Sequence, residues 1–180
     1  MNLRVLYVFA LETEIPAGRT FPGLHIFTGV GKVNAAMRLT EAIIKHKPHI
    51  VINYGSAGSI GPVSGLVKCG TFVQLDMDVS GLGFERYHTP FDPLGGSLHF
   101  CDGATCGTSD KFVTDGLAGH TAKVDLVDME AYALAKVCKT LGVNFVSYKW
   151  ISDGANGDSI TDWEQNQALG YDAFLAKMGL

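Results

Sequence analysis

The sequence is short of charge. Only 18% of its 180 residues are Asp, Glu, Lys or Arg, and the balance is slightly acidic, −4 at neutral pH. Without a basic excess, nucleic acid and anionic membrane surfaces are excluded as main partners. Cysteine is sparse: Cys69, Cys101, Cys106 and Cys138 form no CxxC pair, and no second Cys or His pair stands at zinc-ligand spacing. That points to buried or free thiols in a reducing cytoplasm, with no metal site. Long apolar runs are also missing. The longest uncharged stretch, Pro48 to Val67, holds four glycines, two prolines and three serines, so it is no membrane span. The opening residues, from Met1 to Ala10, are apolar enough to resemble a signal peptide. The run stops at Glu12 and Glu14 without a cleavage site, and a first core strand fits better. No repeat or composition break divides the chain, so a single domain over residues 1–180 is expected. What is present is 47% apolar residue, enough for a chain of this size to bury roughly 70% of its unfolded surface. Its 22 glycines are scattered rather than periodic, as in a turn-rich α/β domain.

Leu3 to Phe9 reads as a buried strand, with β-branched Val5 and Val8, and Leu24 to Thr28 as a shorter one. Gly29-Val-Gly-Lys opens a helix that runs to about Lys47, where Pro48 stops it. Val33, Met37, Thr40 and Ile44 recur at three- and four-residue steps and form its expected inward stripe. His49–Tyr54, Thr71–Leu75, Leu98–Cys101, Lys123–Val127 and Val143–Ile151 read as further strands. Residues 76–97 carry no period and read as a long loop, of the kind that is functional or mobile. Met129 to Leu141 reads as a helix with Leu134, Val137, Cys138 and Leu141 inward, closed by Gly142. Thr161 or Asp162 caps a last helix reaching about Met178. Strands alternating with helices predict a three-layer α/β fold with a largely parallel sheet. Ligands in such folds gather beyond the carboxyl ends of the strands.

Four strand ends therefore matter. Asn53-Tyr-Gly-Ser-Ala-Gly-Ser offers small residues that let a ligand approach the backbone, but it has neither GxGxxG nor a Lys-Ser/Thr ending, and a plain glycine turn fits as well. Glu130 shares a helix face with Leu134 and Val137. An inward carboxylate is costly unless something polar binds it, and the vicinal hydroxyls of a ribose would do so. The competing reading is a first-turn acid on the helix dipole, with Asp128 as N-cap. Asp153 at the end of the last strand suits a general acid, or a turn Asp before Gly154. Glu14, with Glu12 two residues earlier, suits a general base, although one of the two could be an ordinary solvated charge.

Taken in order, Ala10-Leu-Glu-Thr-Glu-Ile, Thr28-Gly-Val-Gly-Lys-Val-Asn-Ala-Ala, Asn53-Tyr-Gly-Ser-Ala-Gly, Gly107-Thr-Ser-Asp-Lys-Phe-Val, Val127-Asp-Met-Glu-Ala and Ile151-Ser-Asp resemble the motifs of the purine nucleoside phosphorylase superfamily, most of all those of methylthioadenosine/S-adenosylhomocysteine nucleosidases. The resemblance implies a three-layer α/β/α phosphorylase-like fold around a central mixed, largely parallel sheet. It implies hydrolysis of the N-glycosidic bond of an adenine nucleoside with a modified 5′ position, in purine and methionine salvage, without cofactor. Under it Glu14 activates the attacking water, with Ser56, Ala57 and Gly58 against the substrate. Met129 and Glu130 line the ribose, Phe112 stacks on the base, and the Val113 backbone reads its edge. Ser152 supports Asp153, which protonates the purine at N7. Lys149 joins the substrate-binding set at a position where many members carry Arg. Trp163 closes the 5′ side, unless it is a core anchor of its helix. A homodimer is implied too, with the region of residues 76–96 at the contact.

The chain departs from the family in two places. Few residues separate Glu14 from Gly29, so an early hairpin is expected to be missing, and the segment Asp76–Gly96 differs. Two other readings stay open. A phosphorolytic relative would grip phosphate with arginine, yet only Arg4, Arg19, Arg38 and Arg86 exist and none lies in the Asn53–Ser59 loop; Lys149 or a loop arginine could still serve. A non-catalytic nucleoside-binding or storage relative would be expected to lose its acids, and Glu14, Glu130 and Asp153 are all present.

Overall fold

A computed structural model describes residues 3–180; the first two residues of the leader-like stretch lie outside the described residues. β1 (Val5–Phe9) is buried on both faces, Leu6 and Val8 toward one core cluster and Tyr7 and Phe9 toward another. That is the strand period of two applied to an almost wholly apolar segment. α1 (Lys32–His46) and α2 (Ala131–Leu141) pack against each other and on the Leu6–Val8 face. α3 (Ser159–Asn166) and α4 (Tyr171–Met178) follow the last strand. Phe174 of α4 covers the opposite face, its ring stacked on Tyr54 at 4.4 Å. The three layers are the expected ones.

The sheet between them has eight strands. β2 (His25–Phe27) pairs with β1, and β1 with β3 (Ile50–Ser59), all parallel. β8 (Asn144–Asp153) runs parallel to β3 along its length, from Ile50↔Asn144 to Gly58↔Asp153. β8 also pairs antiparallel with β4 (Leu66–Gln74). β4 pairs parallel with β6 (Ala104–Thr108), β6 parallel with β7 (Leu126–Asp128), and β7 returns antiparallel to β3. Five strands thus close a ring, and β5 (Leu98–His99) caps β4 from outside. No helix among the described residues is long and apolar enough to cross a membrane.

Several expectations are corrected. The inward residues of α1 are Ala35, Leu39, Ala42 and Ile43, whereas Val33 is 78% and Ile44 67% exposed and Met37 is exposed as well. Both sets share the helical period and differ in phase; the buried face alternates Ala35 and Ala42 with Leu39 and Ile43. On α2, Leu134 and Cys138 are buried and Val137 partly so, but Leu141 lies at the surface. The last helix is two helices, broken where Gly170 lies on Trp150: a Cβ there would stand 2.4 Å from the indole. β4 begins at Leu66 rather than Thr71, β6 is an additional strand without an apolar pattern, and β7 begins at Leu126 rather than Lys123. Between Glu14 and β2 there is no strand, as the missing hairpin requires. Residues 76–97 form a loop with one short 3-10 turn at Ser80–Leu82. The cysteines are free thiols, three of them buried.

Candidate active site

The Asn53-Tyr-Gly-Ser-Ala-Gly segment is not a loop. β3 continues through it to Ser59, paired to β8, with a bulge between Ala57 and Gly58. Its glycines make room for acids. A Cβ on Gly55 would stand 2.8 Å from Glu14 Oε1, and one on Gly58 would stand 2.8 Å from Asp153 Oδ1. The small residues therefore let two carboxylates lie flat on the strand, a demand that a strand glycine often signals.

Glu14 sits on the 3-10 turn Glu12–Glu14 that follows β1, and it is 3% exposed. Its Oε2 accepts the Ala10 and Leu11 N–H groups at 2.9 and 3.2 Å, and its Oε1 accepts the Ser56 N–H at 2.9 Å. Glu12, by contrast, is exposed and is the ordinary solvated charge of the pair. Burial pushes the Glu14 carboxyl above the usual carboxylate range, against the pull of Lys149 and of those three N–H donors.

Asp153 ends β8 beside Gly58. Ser152 Oγ donates to its Oδ2 at 2.8 Å and the Ala155 N–H to its Oδ1 at 2.9 Å. The left-handed residue of the turn is Ala155, at φ +50°, rather than Gly154. A buried alanine held there is backbone strain next to a candidate acid.

Glu130 follows β7 at the start of α2, buried, with its Oε1 accepting the Gly31 N–H at 2.9 Å. The first-turn position is as the plainer reading had it, but the carboxylate is turned into the cavity and onto the start of α1. Burial first, then the neighbouring Asp128, pushes its pKa up to about 8. A carboxyl raised in the folded state binds protons that the unfolded chain has released, so stability falls as pH rises from the ordinary carboxylate value through about 8. Glu130→Gln should therefore raise the melting temperature of the ligand-free protein above pH 8 and leave it nearly unchanged at roughly pH 5. Thermal scans at the two pH values check this; an equal shift at both would show that the charge of Glu130 is not what strains the fold.

These acids surround one cavity of about 360 Å³. Glu14, Ser56, Ala57, Gly58, Phe112, Val113, Met129, Glu130, Asp153 and Trp163 line it, so the structure brings ten of the twelve singled-out residues to one place. Trp163 donates its Nε1–H to Ser56 Oγ at 3.0 Å and meets Phe112 edge-on at 6.4 Å. It is a wall of the cavity rather than a core anchor. Ser152 stands just behind, on Asp153. Lys149 is the correction: it does not line the cavity, but is buried behind it, with Nζ 2.7 Å from Asp128 Oδ2.

From the sequence alone Asp128 has only the role of a helix cap. It does accept the Ala131 N–H at 2.8 Å, yet it also accepts the Thr108 hydroxyl at 2.6 Å and lines the cavity. Its partner Lys149 lies on a strand that does not pair with its own, so no local pattern announces the bond. Lys111 is the one basic residue among the cavity's lining residues, at the rim and paired with Asp115.

A sequence model of the phosphorylase superfamily matches residues 24–105 and 95–174. The 5′-methylthioadenosine/S-adenosylhomocysteine nucleosidase of Exiguobacterium sp. is 35% identical over 173 residues, covering 82% of this chain and 71% of its own length. That of Shewanella oneidensis is 30% identical over 181 residues, covering 84% and 72%. Among solved structures, the Helicobacter pylori nucleosidase of the same name aligns at TM-score 0.80 and 18% identity over 93% of this chain and 92% of its own. The Colwellia psychrerythraea nucleosidase in complex with adenine aligns at TM-score 0.80 and 21% identity, over 94% and 91%. At such identities the structures speak for the fold.

Proposed function

Because the chain belongs to the phosphorylase superfamily, as a methylthioadenosine/S-adenosylhomocysteine nucleosidase-like member, we propose that it hydrolyses the N-glycosidic bond of an adenine nucleoside with a modified 5′ position, of the methylthioadenosine or S-adenosylhomocysteine type. The observation that carries this reading is the convergence of three buried carboxylates from separate strand ends on a single cavity with an aromatic wall. Breaking the bond leaves positive charge on the ribosyl centre and negative charge on the leaving purine. Asp153 gives its proton to N7 as the bonding pair moves onto N9. Glu14, raised by burial into a range where a carboxylate is a better base, takes a proton from the water whose oxygen bonds to C1′. Glu130 holds the ribose hydroxyls, Met129 lies against the sugar, and Phe112 and Val113 receive the base.

Water rather than phosphate is supported by what the cations do. Arg19, Arg38 and Arg86 are paired to Asp172, Glu41 and Asp78, Arg4 bonds the Lys47 carbonyl, and none of the four lines the cavity. The first N–H groups of α1, a natural anion site, are already taken by Glu130 and Asp110. Adenine should be released from methylthioadenosine at the same rate with and without inorganic phosphate; a rate that requires phosphate would overturn the hydrolytic reading.

Trp163 closes the 5′ side. Trp163→Leu should weaken kcat/KM for methylthioadenosine more than for adenosine, because only the former presents an apolar 5′ group. An equal loss on both, with a lowered melting temperature, would return Trp163 to a purely structural role. The active form is a cytoplasmic homodimer in purine and methionine salvage. Apolar side chains left at the surface of α1 and of the 76–97 loop, among them Val33, Ile44, Leu82 and Phe91, support the dimer, and the free thiols support the compartment.

A further inference from the structure

We infer that Lys149 and Asp128 form a positioning pair for the reaction: a buried charge device, with Asp128 in the cavity wall and Lys149 behind it, that holds Glu14 ready to accept a proton. The inference rests on the hydrolytic reading above, and its acting group is Lys149, which does not line the cavity.

Four ionisable side chains meet there with almost no water. Glu14, Asp128, Glu130 and Lys149 are each less than a tenth exposed, and they bring three potential negative charges to one positive charge. Asp128 is fixed by the Thr108 hydroxyl and the Ala131 N–H, and through Ala131 it also fixes the turn from which Glu130 projects. Thr108 Oγ1 accepts the Tyr132 N–H in turn, so this anchor is tied into α2. Lys149 reaches from β8 to Asp128, and it also faces Glu14: the point where a Gly55 side chain would begin lies 2.8 Å from Glu14 Oε1 and 3.3 Å from Lys149 Nζ. Gly55 is thus the slot across which the cation and the candidate base see each other. The other titratable groups on this cluster are the hydroxyl of Tyr54, buried without a hydrogen-bond partner, and the thiol of Cys106. Neither is charged at neutral pH, so Lys149 is the group that can offset the acids. Burial alone would lower the Lys149 ammonium; Asp128 outweighs it and keeps the lysine charged.

The division of labour follows from the geometry. Asp128 keeps Lys149 protonated and in place. Lys149 favours the ionised form of Glu14, which must be a carboxylate before water arrives. Burial opposes that form, and an opposite charge at this range is the usual remedy.

The test is the acidic limb of the kcat/KM profile for adenine release, which reports the ionisation of the base in the free enzyme. Lys149→Met removes the cation and should move the limb to higher pH by about one unit or more. Asp128→Asn keeps the shape but removes the charge that holds Lys149 protonated and in place, and should move the limb the same way. Lys149→Arg keeps the charge and should leave the limb in place. If Lys149→Met does not fold, the Asp128→Asn shift alone decides. Limbs that stay where the native enzyme has them, with rates falling only as the folded fraction falls, would reduce the pair to a structural bond and overturn the inference. A native enzyme that releases no adenine would instead refute the hydrolytic reading, so the two failures are distinct.

Discussion

Asp153→Asn should slow the release of adenine on the order of 10²–10⁴-fold in kcat, the range expected for a lost acid–base group. Adenine leaves poorly as an anion, so the proton matters most when the bond is nearly broken. The amide keeps the shape: its oxygen can still accept the Ala155 N–H, and its NH2 can donate to the Ser152 hydroxyl, which can donate or accept, so the fold should survive. What is lost is the transferable proton. The defect should shrink on a nucleoside whose leaving group departs without protonation. Steady-state rates of both enzymes on an adenine nucleoside and on such an activated substrate check this. Near-native turnover of Asp153→Asn on the adenine substrate would place the acid elsewhere.

Glu14→Gln should cost a comparable factor, again on the order of 10²–10⁴ in kcat, by a different route. The carboxylate accepts three backbone N–H groups from two segments, and a glutamine can accept through one oxygen only. One of its amide N–H groups then faces a backbone donor, so some loss of stability is expected as well. The two effects separate in the assay. A loss of base activity lowers kcat at every temperature where the protein is folded. A loss of structure appears as a lower melting temperature with near-native turnover in the cold, and that second outcome would remove Glu14 from the chemistry.

Much of this site is legible in the sequence because it lies at strand ends. Glu14, Glu130 and Asp153 each follow an apolar strand, and such strands deliver their next residues to the crevice. The strands themselves were harder where glycine dilutes the pattern. β3 runs through Gly55-Ser-Ala-Gly, which lacks the apolar alternation of a strand because the acids beside it need the room. β6 is Ala-Thr-Cys-Gly-Thr, with a glycine pressed on Leu75. The phase of α1 is ambiguous in the sequence because bulky apolar residues lie on both faces, Leu39 and Ile43 buried and Val33, Met37 and Ile44 exposed. The Lys149–Asp128 pair lay beyond sequence reasoning for a topological reason. The two residues are on strands that do not pair with each other, and Lys149 itself looks like any lysine in an apolar segment.

Product analysis tests the central claim most directly. With methylthioadenosine as substrate and inorganic phosphate in large excess, a cavity lined by four carboxylates and no arginine should yield adenine and free 5-methylthioribose in equal amounts. Recovery of the sugar as its 1-phosphate would contradict the account, because the anion would then have found a site that these residues do not provide.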